Sequence, residues 1–367
     1  STASAEAVVA GQTFTLTTGL DSKTLGAGDD QAFATDSTTA ASDTFNVSDA
    51  VSGGAGDDTF FLTVDSIAGD TTYTPSRITG FEKLSVTNVD VTPDALTVNT
   101  NLMGVSAVEV SASTADVLFT NVTAGSAVSL LGNTSDVTVT MKNAGLTGAA
   151  DSATLDVTGN TGAVLIQSDG VADIEIASIT ATGVNSGALT IGDNSGESTV
   201  TSLTVSGTGS YDLESANSTI GDELETLDAS ANSGGVTFST TIATDSTLTG
   251  GSGNDVLTGG AGNDVVTGGE GEDTLKMGSG GKDHLDGGAG NDTITATGAT
   301  KDDTIEGGDG TDILVIGSAL AYDDEAEPTA INNAVNISGF EVLATAASLT
   351  QDMTPLSGIV AVSSAAG

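Results

Sequence analysis

The chain has no cysteine and no tryptophan among its 367 residues, and only four prolines, three tyrosines and nine phenylalanines. Without cysteine there is no disulfide, no zinc–thiolate centre and no thiol nucleophile, which is compatible with an exposed location where redox conditions are uncontrolled. Basic residues are equally scarce. Seven Lys and Arg stand against fifty Asp and Glu, a formal net charge of −43, which excludes nucleic-acid binding by phosphate neutralisation and adsorption to an anionic membrane. No apolar run approaches the roughly 20 residues of a membrane span, so no membrane insertion is expected. Residues 1–20 lack the basic and apolar pattern of a Sec signal, and a chain that begins at Ser1 reads as a fragment or a processed product. An aromatic content of 3% leaves little for a binding hot spot or a sugar-stacking platform.

What is present is glycine, 49 residues of it, together with long stretches of Thr, Ser, Val and Ala. The 37% of hydrophobic residues alternate regularly with polar ones, which argues for many short strands rather than disorder. So acidic a fold calls for cations to complete it. Four zones follow: an N-terminal β module over 1–84 with two glycine loops and a GFE-x-L strand, a ladder of alternating segments over 85–245, a glycine block over 246–316, and a closing β module over 317–367 with a second GFE-x-L strand. Leu227, Val236 and Leu248 set a cadence that leads into the glycine block, so one continuous solenoid is expected.

Residues 250–267 read GGSGNDVLT-GGAGNDVVT. Seven such units are marked by Asp255, Asp264, Asp273, Asp283, Asp292, Asp303 and Asp312. Each is followed two residues later by an apolar side chain: Leu257, Val266, Leu275, Leu285, Ile294, Ile305 and Leu314. The glycines, among them Gly251, Gly253, Gly260, Gly262, Gly269, Gly271, Gly288, Gly290, Gly308 and Gly310, permit positive φ and a tight loop with converging carbonyls. Aspartate adds carboxylate oxygens and the apolar residue opens an inward-facing strand. An oxygen-only donor set rich in carbonyls suits Ca²⁺, whereas Mg²⁺ wants strict octahedral geometry and keeps its waters. Ile313 and Val315 make the last strand apolar on its outward face as well, so the following segment is expected to cover it and close the solenoid.

The spacing resembles the G-G-x-G-x-D-x-U-x nonapeptide, the calcium-binding repeat of RTX proteins. The block resembles hemolysin-type calcium-binding repeats, which form a parallel β-roll with two nonapeptides per turn. The resemblance implies that loops n and n+2 stack on one edge and share an ion. Asp255, Asp273, Asp292 and Asp312 would line one edge and Asp264, Asp283 and Asp303 the other, for about five shared Ca²⁺. The loop GGAGDDTFF at 53–61, followed by ITGFEKL, is echoed by GGDGTDILVIGS and ISGFEVL near the other end. This duplication places further calcium at Asp58 and Asp30 on adjacent loops, with Phe60 and Phe61 as anchors.

The fold expected is all-β, an elongated right-handed parallel β-solenoid that includes a β-roll. More broadly the chain resembles bacterial surface-layer (S-layer) proteins of the RTX type. That resemblance implies secretion by the type I machinery, calcium-dependent self-assembly into a lattice on the cell surface, and attachment to cell-surface polysaccharide through a region outside this chain. The alternative is an RTX adhesin stalk that presents a binding site to a surface or glycan. An enzyme is not expected. His284 is the only histidine and occupies an outward strand position, and H-E-x-x-H, G-x-S-x-G and a complete P-loop are all missing.

Overall fold

The computed structural model describes residues 10–39, 41–46, 48–66, 69–91, 95–146, 150–170, 173–193, 198–214, 220, 223–300, 302–316, 336–345 and 361–364. Among them the only helical segment is a 3-10 turn at Asn143–Gly145, and all other elements are β-strands. Paired strands run parallel. Parallel neighbours cannot be joined by a tight hairpin. Here the return path between two strands of one sheet is itself a strand of another sheet, so successive strands alternate between sheets and the fold is a parallel β-solenoid.

The chain forms two compact units, residues 1–175 with 189–197, and residues 176–188 with 198–367. In the first, one sheet runs in the order Thr13–Thr15, Gln31–Asp36, Thr59–Val64, Lys83–Asn88, Ala107–Ser111, Ala127–Leu131 and Ser152–Thr158. A second sheet, starting from Thr71–Tyr73, continues through Leu96–Asn99, Val117–Val122, Val137–Met141 and Val164–Ser168 to Leu189–Gly192. A small third sheet holds Ser22–Thr24, Ala50–Ser52 and Ile78–Thr79. Successive residues of a strand face opposite ways, so the apolar half of each alternation meets its equivalent in the next turn. Val108, Val128 and Leu155 are in register, as are Val110, Leu130 and Val157, and none is more than 1% exposed.

The same alternation separates Phe60 from Phe61. Phe60 is buried, edge-on to Phe81 at 5.5 Å, whereas Phe61 faces outward and stacks flat on Phe33 at 4.6 Å. Only Phe60 therefore anchors the loop from inside, because neighbours on a strand cannot share a face.

In the second unit one sheet runs through Ile176–Thr182, Ser202–Gly207, Thr226–Asn232, Thr247–Thr249, Val265–Glu270, His284–Ala289, Thr304–Asp309 and Asn336–Ser338. Its partner sheet runs through Val184–Asn185, Ser210–Asp212, Val236–Ser239, Val256–Thr258, Thr274–Lys276, Thr293–Thr295, Ile313–Ile316, Val342–Thr345 and Ala361–Ser364. Two apolar columns fill the interior. Leu227, Leu248, Val266, Leu285 and Ile305 form one, and Phe238, Leu257, Leu275, Ile294, Leu314 and Leu343 the other. Each is at most 1% exposed, and burial of such a side chain contributes about 1.5–3 kcal/mol.

Val236, part of the cadence read from sequence, opens the strand Val236–Ser239 and is buried; in that strand Phe238 is the residue in register with Leu257, and the Val236 backbone N–H meets the carboxylate of Asp255. The far side of the strand Ile313–Ile316 pairs with Val342–Thr345, the strand of the second GFE-x-L motif, and that strand in turn pairs with Ala361–Ser364. The segment expected to cover Ile313 and Val315 lies largely outside the described residues.

Candidate metal centre

Each glycine loop carries the chain from one sheet to the other, and its aspartate sits at the start of the new strand with its side chain turned inward. Asp255, Asp264, Asp273, Asp283, Asp292, Asp303 and Asp312 are 0–2% exposed, as are Asp30 and Asp58. Burial of a carboxylate is costly unless its oxygens are partnered. One oxygen of each is partnered by the neighbouring turn. On the first edge Asp273 Oδ1 accepts the backbone N–H of Asp255 at 2.7 Å, Asp292 Oδ1 that of Asp273 at 2.8 Å, and Asp312 Oδ1 that of Asp292 at 2.9 Å. On the second edge Asp283 Oδ1 accepts from Asp264 at 3.0 Å and Asp303 Oδ1 from Asp283 at 2.8 Å. The separations of 18–20 residues are one solenoid turn each.

The second oxygen distinguishes the residues. Oδ2 of Asp58, Asp264, Asp273, Asp283, Asp292 and Asp312 is buried with no hydrogen-bond partner. In three others it is satisfied by backbone: Asp255 Oδ2 accepts from Gly251 at 2.8 Å, Asp303 Oδ2 from Thr300 at 2.5 Å, and Asp30 Oδ2 from Gly26 at 2.7 Å. Asp303 follows one of the stretched units, in which Ala299 and Lys301 stand where most other loops have glycine, and the Thr300 N–H closes on the carboxylate. These three act as caps in the protein as it stands.

Around the orphaned oxygens the backbone brings further oxygens together. A methyl group placed on Gly268 would lie 2.3 Å from Asp273 Oδ2 and 2.5 Å from the carbonyl oxygen of Gly287. One placed on Gly287 would lie 2.5 Å from Asp292 Oδ2 and 2.3 Å from the carbonyl of Gly307. On this edge the first glycine of the loop, Gly250, Gly268 or Gly287, absent from the residues singled out by sequence, thus keeps open a space lined by a carboxylate and a carbonyl of the next turn. Among the described residues no three His, Cys, Asp or Glu side chains converge on a point, so a cation here takes most of its ligands from backbone oxygens. Oxygen-only donors in a cradle that can flex fit a hard ion of calcium's size.

Electrostatics point the same way. Burial pushes the Asp273 carboxyl up to about 7, the negative charges of Asp255 and Asp292 raising it further against the N–H of Asp255. Burial likewise raises Asp283 to about 6, with Asp264 and Asp303 adding to it. Asp58, Asp255, Asp292 and Asp312 are also raised, burial being the largest cause in each. Without a counter-charge these carboxylates resist ionisation, and a divalent cation would supply it.

The glycines divide by role. Gly269, Gly271, Gly288, Gly290, Gly308 and Gly310 have φ between +99° and +155°, as expected for a loop only glycine tolerates. Gly251, Gly253, Gly260 and Gly262 do not have positive φ, contrary to expectation. They are needed for close approach: a methyl on Gly251 would lie 1.9 Å from the carbonyl oxygen of Asn232 in the turn before. The residue preceding the aspartate forms a ladder that sequence reading missed. Asn254, Asn263 and Asn291 accept, through Oδ1, the N–H groups of Glu272, Lys282 and Thr311 at 2.8–2.9 Å, and the recurrent Asn-Asp dipeptide was its signal. His284 is half-buried, in register between Val265 and Thr304.

At the other end of the chain Asp30 and Asp58 lie on adjacent loops. The Asp30 N–H donates to Asp58 Oδ1 at 2.7 Å, and Ala27 bridges Ala55. Elsewhere several turns bury asparagine instead. Asn88, Asn133 and Asn160 in the first unit, and Asn185 and Asn232 in the second, are buried to within 2%. Asn133 accepts the Ser113 N–H through Oδ1 and donates through Nδ2 to the Val110 carbonyl, both at 2.9 Å. An amide that both donates and accepts needs no ion.

Fold and edges together define the class, a parallel β-solenoid whose turns are stitched by buried acidic ladders that leave oxygen atoms over. The family model of the RTX calcium-binding nonapeptide repeat matches the chain in four copies, over residues 47–62, 243–275 and 295–318. The chain carries RTX calcium-binding repeats over these segments. Such repeats bind calcium, are typically structural, and generally belong to secreted extracellular proteins. The matched segments contain Asp58, Asp255, Asp264, Asp273, Asp303 and Asp312, whereas Asp30, Asp283 and Asp292 lie outside them. No curated protein matches the chain.

Proposed function

We propose that this chain is a structural component of a bacterial S-layer, folding around calcium along its acidic edges and then assembling with copies of itself into a lattice. The calcium part rests on one observation, the row of buried aspartate Oδ2 atoms with no partner. The lattice part is supported by the repetitive architecture. Parallel turns spaced about 4.8 Å apart present the same side-chain types at regular intervals, a surface suited to ordered contacts between copies. A charge of −43 opposes close association until cations reduce it. In this reading the chain leaves the cell through the type I machinery, and attachment to surface polysaccharide falls to a region outside it.

The test is electron microscopy of the purified chain with and without millimolar calcium, alongside circular dichroism. Two-dimensional sheets in calcium are expected. Dispersed rods in calcium would overturn the lattice and favour an adhesin stalk, and a dichroism spectrum indifferent to chelator would overturn calcium-dependent folding.

A further inference from the structure

The Gly-Phe-Glu-x-Leu motif occurs once in each unit, at 80–84 and 339–343, and neither copy belongs to a nonapeptide. Both copies nevertheless occupy the place of one. Leu84 is in register with Phe60, two residues beyond Asp58, and Leu343 with Leu314, two residues beyond Asp312. Glu82 and Glu341 therefore stand at the aspartate position of the next turn. They make the hydrogen bond that an aspartate would make there: Glu82 Oε2 accepts the Asp58 N–H at 2.8 Å, and Glu341 Oε2 accepts the Asp312 N–H at 2.9 Å. Gly80 and Gly339 turn the chain at φ +64° and +76°, and Phe81 and Phe340 are buried behind them.

The turn also brings a carbonyl to the point where the next glycine loop would supply one. A methyl on Gly53 would lie 2.0 Å from the Gly80 carbonyl oxygen and 2.5 Å from Asp58 Oδ2, and one on Gly307 would lie 2.0 Å from the Gly339 carbonyl oxygen. At Gly53 this is the arrangement between Gly268, Asp273 and Gly287, and at Gly307 the carbonyl of the following turn is placed in the same way. Independently of it, Asp58 and Asp312 are fully buried and each has an Oδ2 without a partner. The last nonapeptide of each run is thus not left with half a site.

We infer that each GFE turn completes a calcium site with the glycine loop before it. One ion is held by Asp58 Oδ2 and the Gly80 carbonyl beside Gly53, the other by Asp312 Oδ2 and the Gly339 carbonyl beside Gly307. Glu82 and Glu341 are positioning residues that hold the loop's N–H and set the spacing between loop and turn. The inference rests on the calcium reading above and adds two sites that the nonapeptide pattern does not contain. It also makes Asp312 an interior residue of its edge, bordered by an ion on each side, despite being the last aspartate of the block.

Crystals of the full chain grown in calcium, with anomalous difference density recorded at long wavelength, test this directly. Peaks beside Asp58 Oδ2 and Asp312 Oδ2, at the Gly80 and Gly339 carbonyls, are expected in addition to peaks between nonapeptide loops. Peaks between nonapeptides with none at the GFE turns would overturn the inference alone. No peaks anywhere would overturn it together with the calcium reading. In calorimetric titration Asp312→Asn should lose two ions and Asp255→Asn one, and equal losses would also overturn it. Glu341→Gln, which keeps an acceptor oxygen, should retain the full ion count, and Glu341→Ala should lose one; a full count in Glu341→Ala would refute the positioning role.

Discussion

Replacing Asp273 by Asn removes a charge while keeping an oxygen to accept the Asp255 N–H, so it separates the hydrogen bond from the cation. Asp273 borders two neighbours on its edge, its Oδ1 serving the turn before and its N–H the carboxylate of Asp292 in the turn after. Extracellular calcium modules bind with a Kd of about 10⁻⁴–10⁻³ M. At millimolar calcium a site at the tight end adds about 1.4 kcal/mol by mass action, and two add about 3 kcal/mol. For a unit of this size about 2–4 °C accompanies each kcal/mol. Asp273→Asn should then lower the melting temperature in calcium by about 6–12 °C, and Asp255→Asn, whose two oxygens are already satisfied by Val236 and Gly251, by about half as much. In chelator at pH 8 the order should reverse. Burial pushes the Asp273 carboxyl up to about 7, so the charge is a liability without calcium and its removal stabilises. Scanning calorimetry of the three proteins in calcium and in chelator is the assay. Equal losses at the two positions, or a loss at Asp273 that persists in chelator, would refute the shared-site reasoning.

Acid should stabilise the calcium-free protein. Asp273 and Asp283 are raised to about 7 and about 6, so the stability gained by protonating them is fully present below the ordinary carboxylate range and is lost as pH rises through 6–7. Chelator-treated protein should melt higher at pH 5 than at pH 8, and the opposite order would sink the argument. Asn133→Asp should destabilise by at least about 2 kcal/mol whether or not calcium is present, since it orphans the Val110 carbonyl and buries a charge; urea denaturation in calcium and in chelator measures this. In hydrogen exchange, chelation should expose the amides of 250–315 while the strands Val117–Val122, Val137–Met141 and Val164–Ser168 stay protected. Simultaneous loss of protection would show that the asparagine edges depend on calcium after all.

Much of this architecture is local and was therefore legible in the residues. Period-two alternation decides which side chains face inward, and the interval from aspartate to the apolar residue two positions on sets the phase of each strand. Glycine at the first, second and fourth positions announces a loop that no other residue can follow. The sorting of seven aspartates onto two edges follows once two units make a turn, and the register between strands places them so. What the sequence could not decide is which carboxylate oxygen is left over, because the partner that satisfies or orphans it belongs to another turn. Asp255 matches the motif as well as Asp264 does, yet the Gly251 N–H closes on one while the other keeps a free Oδ2. The separate duties of Phe60 and Phe61 depend on the face each takes in the strand. Glu82 and Glu341 look like ordinary strand-opening acids until the register sets them opposite Asp58 and Asp312. Charge and spacing are written residue by residue, but satisfaction of a buried oxygen is a property of two turns at once, and only their stacking reveals it.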